Sequence, residues 1–297
     1  MTGRTEGIAK LRAFLAERFA NRHTITLDER RRGLEALGTM LSPPVTGVEV
    51  EDGVLGGIPA TRFQPSGGKA CGRRILYLHG GAFVTGSGRS HSALLTRLAL
   101  AAWASIDAVA YRLAPEHPFP AAGDDCLAAY RALLEDGCPP EKITIAGDSA
   151  GGALALGLLV AARDAGLPMP GAAVLISPAL DLTAENPFYD TLEDRDPFMS
   201  RDGFRRDVAL YLNADPKVSP LFANLAGLPP ILVQVGSEEV LLGDALALAQ
   251  RAALVRTPVT LQVWPDMVHV WHVFPNWLAD AERAIKAIAN FLDTTPA

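Results

Sequence analysis

At 297 residues, 49% of them apolar, the chain is long enough to enclose one large core with a small accessory segment. A formal charge of −6 argues against nucleic acid or an anionic membrane surface as the main partner. Cys71, Cys126 and Cys138 are an odd set without C-x-x-C spacing, which fits reduced thiols; the start lacks a leader-like apolar core and no apolar run is long enough for a bilayer, so a soluble, cytoplasmic protein without stable membrane insertion is expected.

In chain order, Ile8, Leu11, Leu15 and Phe19 fall at helical spacing with charges between them, and a second helical stretch covers residues 27–40. Arg30, Arg31 and Arg32, set between Asp28-Glu29 and Glu35, read as a solvated helix face. Both helices precede the first strand signals, so residues 1–44 form an N-terminal helical cap that packs on the body from outside, as a substrate cover or as plain packing. Residues 45–51 and 59–64 read as an antiparallel pair turning at 53–57. Residues 74–78 (RILYL) are a buried strand, followed by a helix at 90–103, a strand at 106–112 and a helix at 123–135. Beyond the next strand and helix come strands at 172–177, 231–236 and 259–264, with helices at 244–255 and 276–292. The interval 181–230 lacks strands and carries Tyr189, Phe198, Phe204 and Tyr211, as expected of short helices inserted over the strand ends. Strands alternating with helices predict an α/β fold: a mostly parallel central sheet with helices on both faces over residues 45–297.

The chemistry centres on residues 142–165. A β-branched run meets Gly147-Asp148-Ser149-Ala150-Gly151, and an Ala/Leu-rich helix pattern follows at once. G-x-S-x-G between a strand and a helix is the signature of a nucleophile elbow, a turn tight enough to demand glycine beside the serine. A serine hydroxyl needs a base within hydrogen-bond reach and a third group to orient that base. The chain order that goes with such an elbow is Ser, acid, His. Of the six histidines, only His269 and His272 lie beyond the elbow, in the loop after the last strand. His269 is favoured; the plain alternative for either is a histidine packed in an aromatic loop. The acid should leave the strand ILVQVG, which offers Glu238, Glu239 and Asp244. Glu239 is assigned; Glu238 reads as an exposed neighbour, and Asp244, the reserve, as a helix N-terminal residue satisfying free amides. Backbone amides of Ala150 and of the loop His79-Gly80-Gly81-Ala82-Phe83 can supply an oxyanion hole.

HGGAF, YRLAPEHPFPAA, GDSAGG, SPALDLT, VGSEEVLLGDA and DMVHVWHVF, in this order, resemble the bacterial hormone-sensitive-lipase-like (family IV) carboxylesterases of the α/β-hydrolase fold. The resemblance covers roughly residue 45 to the C-terminus. It implies a helical cap over an acyl pocket, no metal or cofactor, and hydrolysis of short- to medium-chain esters. It also implies Ser149 as nucleophile, His269 as base, a carboxylate at the Glu239 position, oxyanion donors from Gly80, Gly81 or Ala82 with Ala150, supporting roles for Glu116 and Asp148, and a homodimer. Two departures stand out: Ala82 replaces the third glycine of HGGG, and the acid is Glu where the family more often has Asp. An amide hydrolase such as an arylformamidase could use the same machinery; a hormone-receptor-like binding protein would lack the catalytic histidine that this chain keeps.

Overall fold

The computed structural model describes residues 2–19, 24–41, 45–67, 72–212 and 219–295; Cys71, His23 and the Ser42-Pro43-Pro44 run, before which the second helix was expected to end, lie outside them. Two helices, α1 (Thr2–Phe19) and α2 (Leu27–Leu41), precede a hairpin of β1 (Val48–Leu55) and β2 (Ile58–Pro65). Then follow β3 (Arg74–Leu78), α3 (Ser92–Ala102), β4 (Ser105–Val109), α4 (Ala121–Glu135), β5 (Ile143–Asp148), α5 (Ala150–Asp164) and β6 (Ala172–Ile176). After the insert, which among its described residues holds no strand and carries α6 (Phe188–Leu192) and α7 (Arg201–Leu212), come β7 (Ile231–Gly236), α8 (Leu242–Leu254), β8 (Val259–Trp264) and α9 (Ala279–Thr294).

The eight strands form one sheet in the order β1-β2-β4-β3-β5-β6-β7-β8. Every pairing from β4 to β8 is parallel, and β2 alone runs the other way, antiparallel to both β1 and β4. The turn of the opening hairpin is tighter than the sequence suggests: Gly53 stays in the ladder opposite Ala60, and Gly56-Gly57, both at positive φ, make a two-residue connection. β4, β5, β6 and β7 are buried at every position, as parallel strands covered by helices on both faces must be. Side chains alternate between two cores. Leu76, Leu78, Ile143 and Ile145 meet α4, α5 and α8, while Ile75, Tyr77, Val174 and Leu232 meet α3 and α9.

The N-terminal helices are anchored, not merely laid on the surface. Leu11 and Leu15 of α1 share a third apolar cluster with Met267, Val268, Trp271 and Phe274 of the loop after β8. α2 starts at a capping box, in which Thr26 N donates to Glu29 Oε2 (2.7 Å) and Glu29 N to Thr26 Oγ1 (3.3 Å). Of the arginine cluster only Arg32 is exposed, as the flanking charges suggest; the other two are engaged. Arg30 forms a two-pronged pair with Asp207 of α7 (2.7 and 2.5 Å), and Arg31 grips Glu116 and the carbonyls of Val84 and Ala114. These partners lie tens of positions away in sequence, beyond the reach of local charge patterning. Cys126 and Cys138 are free thiols, and among the described residues no helix is long and apolar enough to cross a membrane.

Candidate active site

Ser149 stands between β5 and α5 at φ 54°, ψ −121°, a strained conformation for a residue with a side chain. The surroundings hold it there. Ser149 N donates to Ile176 O at the end of β6, and its own carbonyl accepts from Gly152 N and Ala179 N. A Cβ on Gly147 would stand 2.3 Å from Gly151 O, and one on Gly151 1.9 Å from Leu78 O, so only glycine allows the elbow to seat against β3.

The loop after β8 brings His269 Nε2 to 3.0 Å from Ser149 Oγ. The loop after β7 brings Glu239 Oε2 to 2.7 Å from His269 Nδ1. With Nδ1 donating to the carboxylate, Nε2 is the acceptor for the serine hydroxyl. Glu239 is fully buried, and its other oxygen accepts from Ser177 Oγ (2.7 Å) and Gly236 N (2.5 Å). Ser177 also accepts from Val270 N (3.1 Å), tying the acid loop to the histidine loop. Burial pulls the basicity of His269 down, but the hydrogen bond and charge of Glu239, with Asp196 and Asp148 behind it, outweigh burial, and its pKa lies above the ordinary imidazole value. His272 goes elsewhere. Its Nε2 donates to Gln234 Oε1 (2.7 Å), its ring packs on Trp271, and burial, with the charge of His269, lowers its pKa to about 3.

The glycine loop divides its amides. Gly80 N donates to Asp148 Oδ1 (3.0 Å), so it is spent on support and cannot serve an oxyanion, contrary to the sequence expectation for that residue. No hydrogen bond among the described residues uses the amides of Gly81, Ala82 or Ala150, and Ala150 N opens α5, where the helix dipole favours negative charge. Gly81 sits at φ 126°, where a Cβ would meet Thr85 O at 2.1 Å. Ala82 takes the place of glycine at φ 54°, a left-handed conformation that alanine adopts at a cost. Under the loop, Asp148 also accepts from Tyr77 Oη (2.7 Å) and His91 Nε2 (3.2 Å). Although burial opposes its charge, these partners hold the Asp148 carboxyl at about 2. Gly80, Gly81, Ala82, Ser149 and His269 face one cavity of about 880 Å³. α2 contributes Leu34 and Leu37 to its wall, the insert contributes Phe198, Phe204 and Leu210, and the Arg30–Asp207 pair stands on its lining. Among the described residues no group of three His, Cys, Asp or Glu side chains is disposed to hold a metal ion.

A family profile described as the alpha/beta hydrolase fold matches residues 75–273. An acetyl-hydrolase of Streptomyces hygroscopicus is 46% identical over 267 residues, 89% of this chain and 87% of that protein. An esterase of Acinetobacter venetianus is 39% identical over 73% of each chain. The crystal structure of an esterase from the bacterial hormone-sensitive lipase family superposes with a TM-score of 0.93 at 40% identity, covering 98% of both chains. The chain belongs to the bacterial hormone-sensitive-lipase-like esterases of the α/β-hydrolase fold.

Within this esterase the three acid candidates separate by their partners. Glu239 alone hydrogen-bonds to a late histidine. Glu238 is no exposed neighbour: it is buried, and its carboxylate pairs with Arg195 (2.6 Å) and Arg12 of α1 (3.5 Å). Asp244 does not cap its own helix, which begins at Leu242. Its oxygens accept from Leu180 N (2.7 Å), Asp181 N (2.9 Å) and Asn186 Nδ2 (2.7 Å), and burial lifts its pKa to about 7. Glu116 holds Arg31 of α2, and Asp148 holds the glycine loop. Three residues of the site escape sequence reasoning: Ser177, His91 and Asp196. The run SPALDLT contains Ser177 but carries no local pattern that marks it as the bridge between acid and base.

Proposed function

We propose that this esterase hydrolyses short- to medium-chain carboxylic esters through an acyl-enzyme, with Ser149 as nucleophile, His269 as general base and then acid, and Glu239 as the group that orients His269 and stabilises its charged form. The observation that carries the reading is the unbroken line Ser149 Oγ–His269 Nε2 (3.0 Å) and His269 Nδ1–Glu239 Oε2 (2.7 Å) beside unengaged backbone amides. As Oγ attacks the ester carbonyl, its proton passes to Nε2 and the new oxyanion accepts from the amides of Gly81, Ala82 and Ala150. Collapse expels the alcohol, protonated by Nε2, and leaves the acyl group on Oγ. Water then repeats the sequence: Nε2 takes its proton, the acid is released and the serine is restored. Apolar walls in a cavity of about 880 Å³ suit an acyl chain longer than acetyl.

Residues 1–44 act here as a cap over a catalytic body of residues 45–297, with 181–230 as the inserted pocket segment. We further propose a cytoplasmic homodimer. β8 is an edge strand whose Val263 is exposed, and Leu254 and Val255 stand exposed at the end of the adjacent helix; light scattering on the purified chain reads the oligomeric state. Ser149→Ala tests the chemistry. It should retain the wild-type circular dichroism and lose turnover of p-nitrophenyl butyrate. Turnover surviving in that variant refutes the mechanism.

A further inference from the structure

Asp196 is a buried carboxylate that the steps above do not use. It lies in the insert, 5% exposed, between α6 and α7. One oxygen accepts from Phe198 N (2.8 Å) and Met199 N (3.1 Å) of its own turn. The other accepts from Val240 N (3.1 Å), the amide immediately after Glu239. On the other side of Glu239, Glu238 is held by the preceding residue of the insert, Arg195, at 2.6 Å. Two consecutive insert residues thus grip the two neighbours of the acid. Arg12 of α1 joins the same junction through Glu238 and the Arg195 carbonyl. The turn that Asp196 closes also aims Phe198, whose ring lies edge-on to His269 with centroids 5.8 Å apart, and Phe198 and Met199 both face the cavity.

We propose that Asp196 is a positioning residue for ester hydrolysis: with Arg195 it clamps the acid loop around Glu239, and through Phe198 it sets the pocket wall against His269. This inference rests on the mechanism proposed above. A buried carboxylate beside a second carboxylate is otherwise a poor choice for holding a loop, because burial and the charge of Glu239 both oppose its ionisation. Burial, partly offset by His269 and the amides and reinforced by Glu239, raises its pKa to about 6, and its charge in turn favours the protonated form of His269. The charged and titratable groups around it are Glu239 and His269 from the catalytic loops, Tyr189 from α6, Asp148 from the elbow acting through His269, and the Arg12–Glu238–Arg195 junction at its rim.

The test is Asp196→Asn, assayed beside wild type, Ser149→Ala, Glu239→Gln and the double variant Asp196→Asn/Glu239→Gln. Asparagine preserves size and keeps one oxygen for the Phe198 and Met199 amides, but turns an NH₂ toward Val240 N. The kcat for p-nitrophenyl butyrate should fall about 10- to 100-fold, the scale set by small misplacements of catalytic groups, while KM changes less than about threefold. The acidic limb of kcat/KM should move to lower pH, since a negative charge near His269 is gone; a residue that only stabilises the fold leaves that limb in place. In the Glu239→Gln background the same change should cost less than about threefold, because the acid it positions is already absent. A wild-type kcat with an unmoved limb, or full additivity in the double variant, overturns the proposal. Should Asp196→Asn fail to fold, Arg195→Ala removes only the rim half of the clamp: lower kcat at unchanged KM supports the proposal, and a wild-type kcat overturns it. Activity persisting in Ser149→Ala defeats the underlying mechanism and this inference together. An inert Ser149→Ala with a wild-type-like Asp196→Asn defeats this inference alone.

Discussion

Replacing Glu239 with glutamine changes one oxygen to nitrogen at nearly constant volume, and its consequence follows from the three hydrogen bonds at that carboxylate. In the native site Oε1 accepts from Ser177 Oγ and Gly236 N, and Oε2 accepts from His269 Nδ1. A glutamine has one oxygen. Set at the Oε1 position it satisfies two buried donors, whereas the opposite orientation places an NH₂ against Gly236 N–H in a fully buried site. The amide nitrogen therefore faces His269 Nδ1, which must become an acceptor. The imidazole proton moves to Nε2, and His269 then donates to Ser149 where it should accept. A tautomer inverted in this way costs about 10⁴ in kcat in serine-protease triads, or about 5.5 kcal/mol at 1.36 kcal/mol per decade. Steady-state hydrolysis of p-nitrophenyl butyrate reads the loss, with KM near wild type. A Glu239→Gln variant within tenfold of wild-type kcat refutes the assignment of Glu239 as the orienting acid.

Other outcomes follow from the same geometry. His272→Ala should keep kcat within about threefold of wild type yet lower Tm, because Gln234 Oε1 loses its donor at a cost of about 1–3 kcal/mol; His269→Ala should lose at least about 10³ in kcat, and a reversal of the two results would exchange their roles. The acidic limb of kcat/KM should lie above pH 6.5, since the pKa of His269 is raised and the base must be neutral to work. Stability runs the other way. A raised folded pKa contributes stability fully present below pH 6.5 and lost as pH climbs through the folded value, so the Tm deficit of Glu239→Gln should widen toward acid. Gly81→Ala should cut kcat about 10²–10³-fold by shifting the oxyanion loop. Gly123→Ala, in α4 with open space around its Cβ position, should leave rate unchanged and raise stability by about 1 kcal/mol.

What the sequence could reveal depended on how locally each feature is determined. Parallel strands buried on both faces appear as continuous apolar runs, so the succession from β3 to β8 was legible, and the elbow was legible because G-x-S-x-G between a strand run and a helix run is a local pattern, although the contact that demands Gly151 comes from Leu78 O of β3. Glu239 could be named as a candidate, but its separation from Glu238 and Asp244 depends on partners such as Arg195, Leu180 and Asn186 brought in by tertiary packing. The engagement of Gly80 N was hidden for the same reason: its acceptor, Asp148, stands 68 positions later. Arg30 and Arg31 look like solvated charges until α7 and the loop at Glu116 arrive opposite them. Asp196 carries no pattern at all, since a lone aspartate before a proline reads as a surface turn.

The most direct measurement of the central claim is where an acyl-like group becomes attached. After incubation with a diethyl phosphoryl ester that transfers its phosphoryl group to activated serines, intact-mass and peptide mass spectrometry should find one adduct per chain, located on Ser149, with activity falling in step. The same treatment should leave Ser149→Ala unmodified. Full inactivation with the adduct on another residue, or with none on Ser149, contradicts the account.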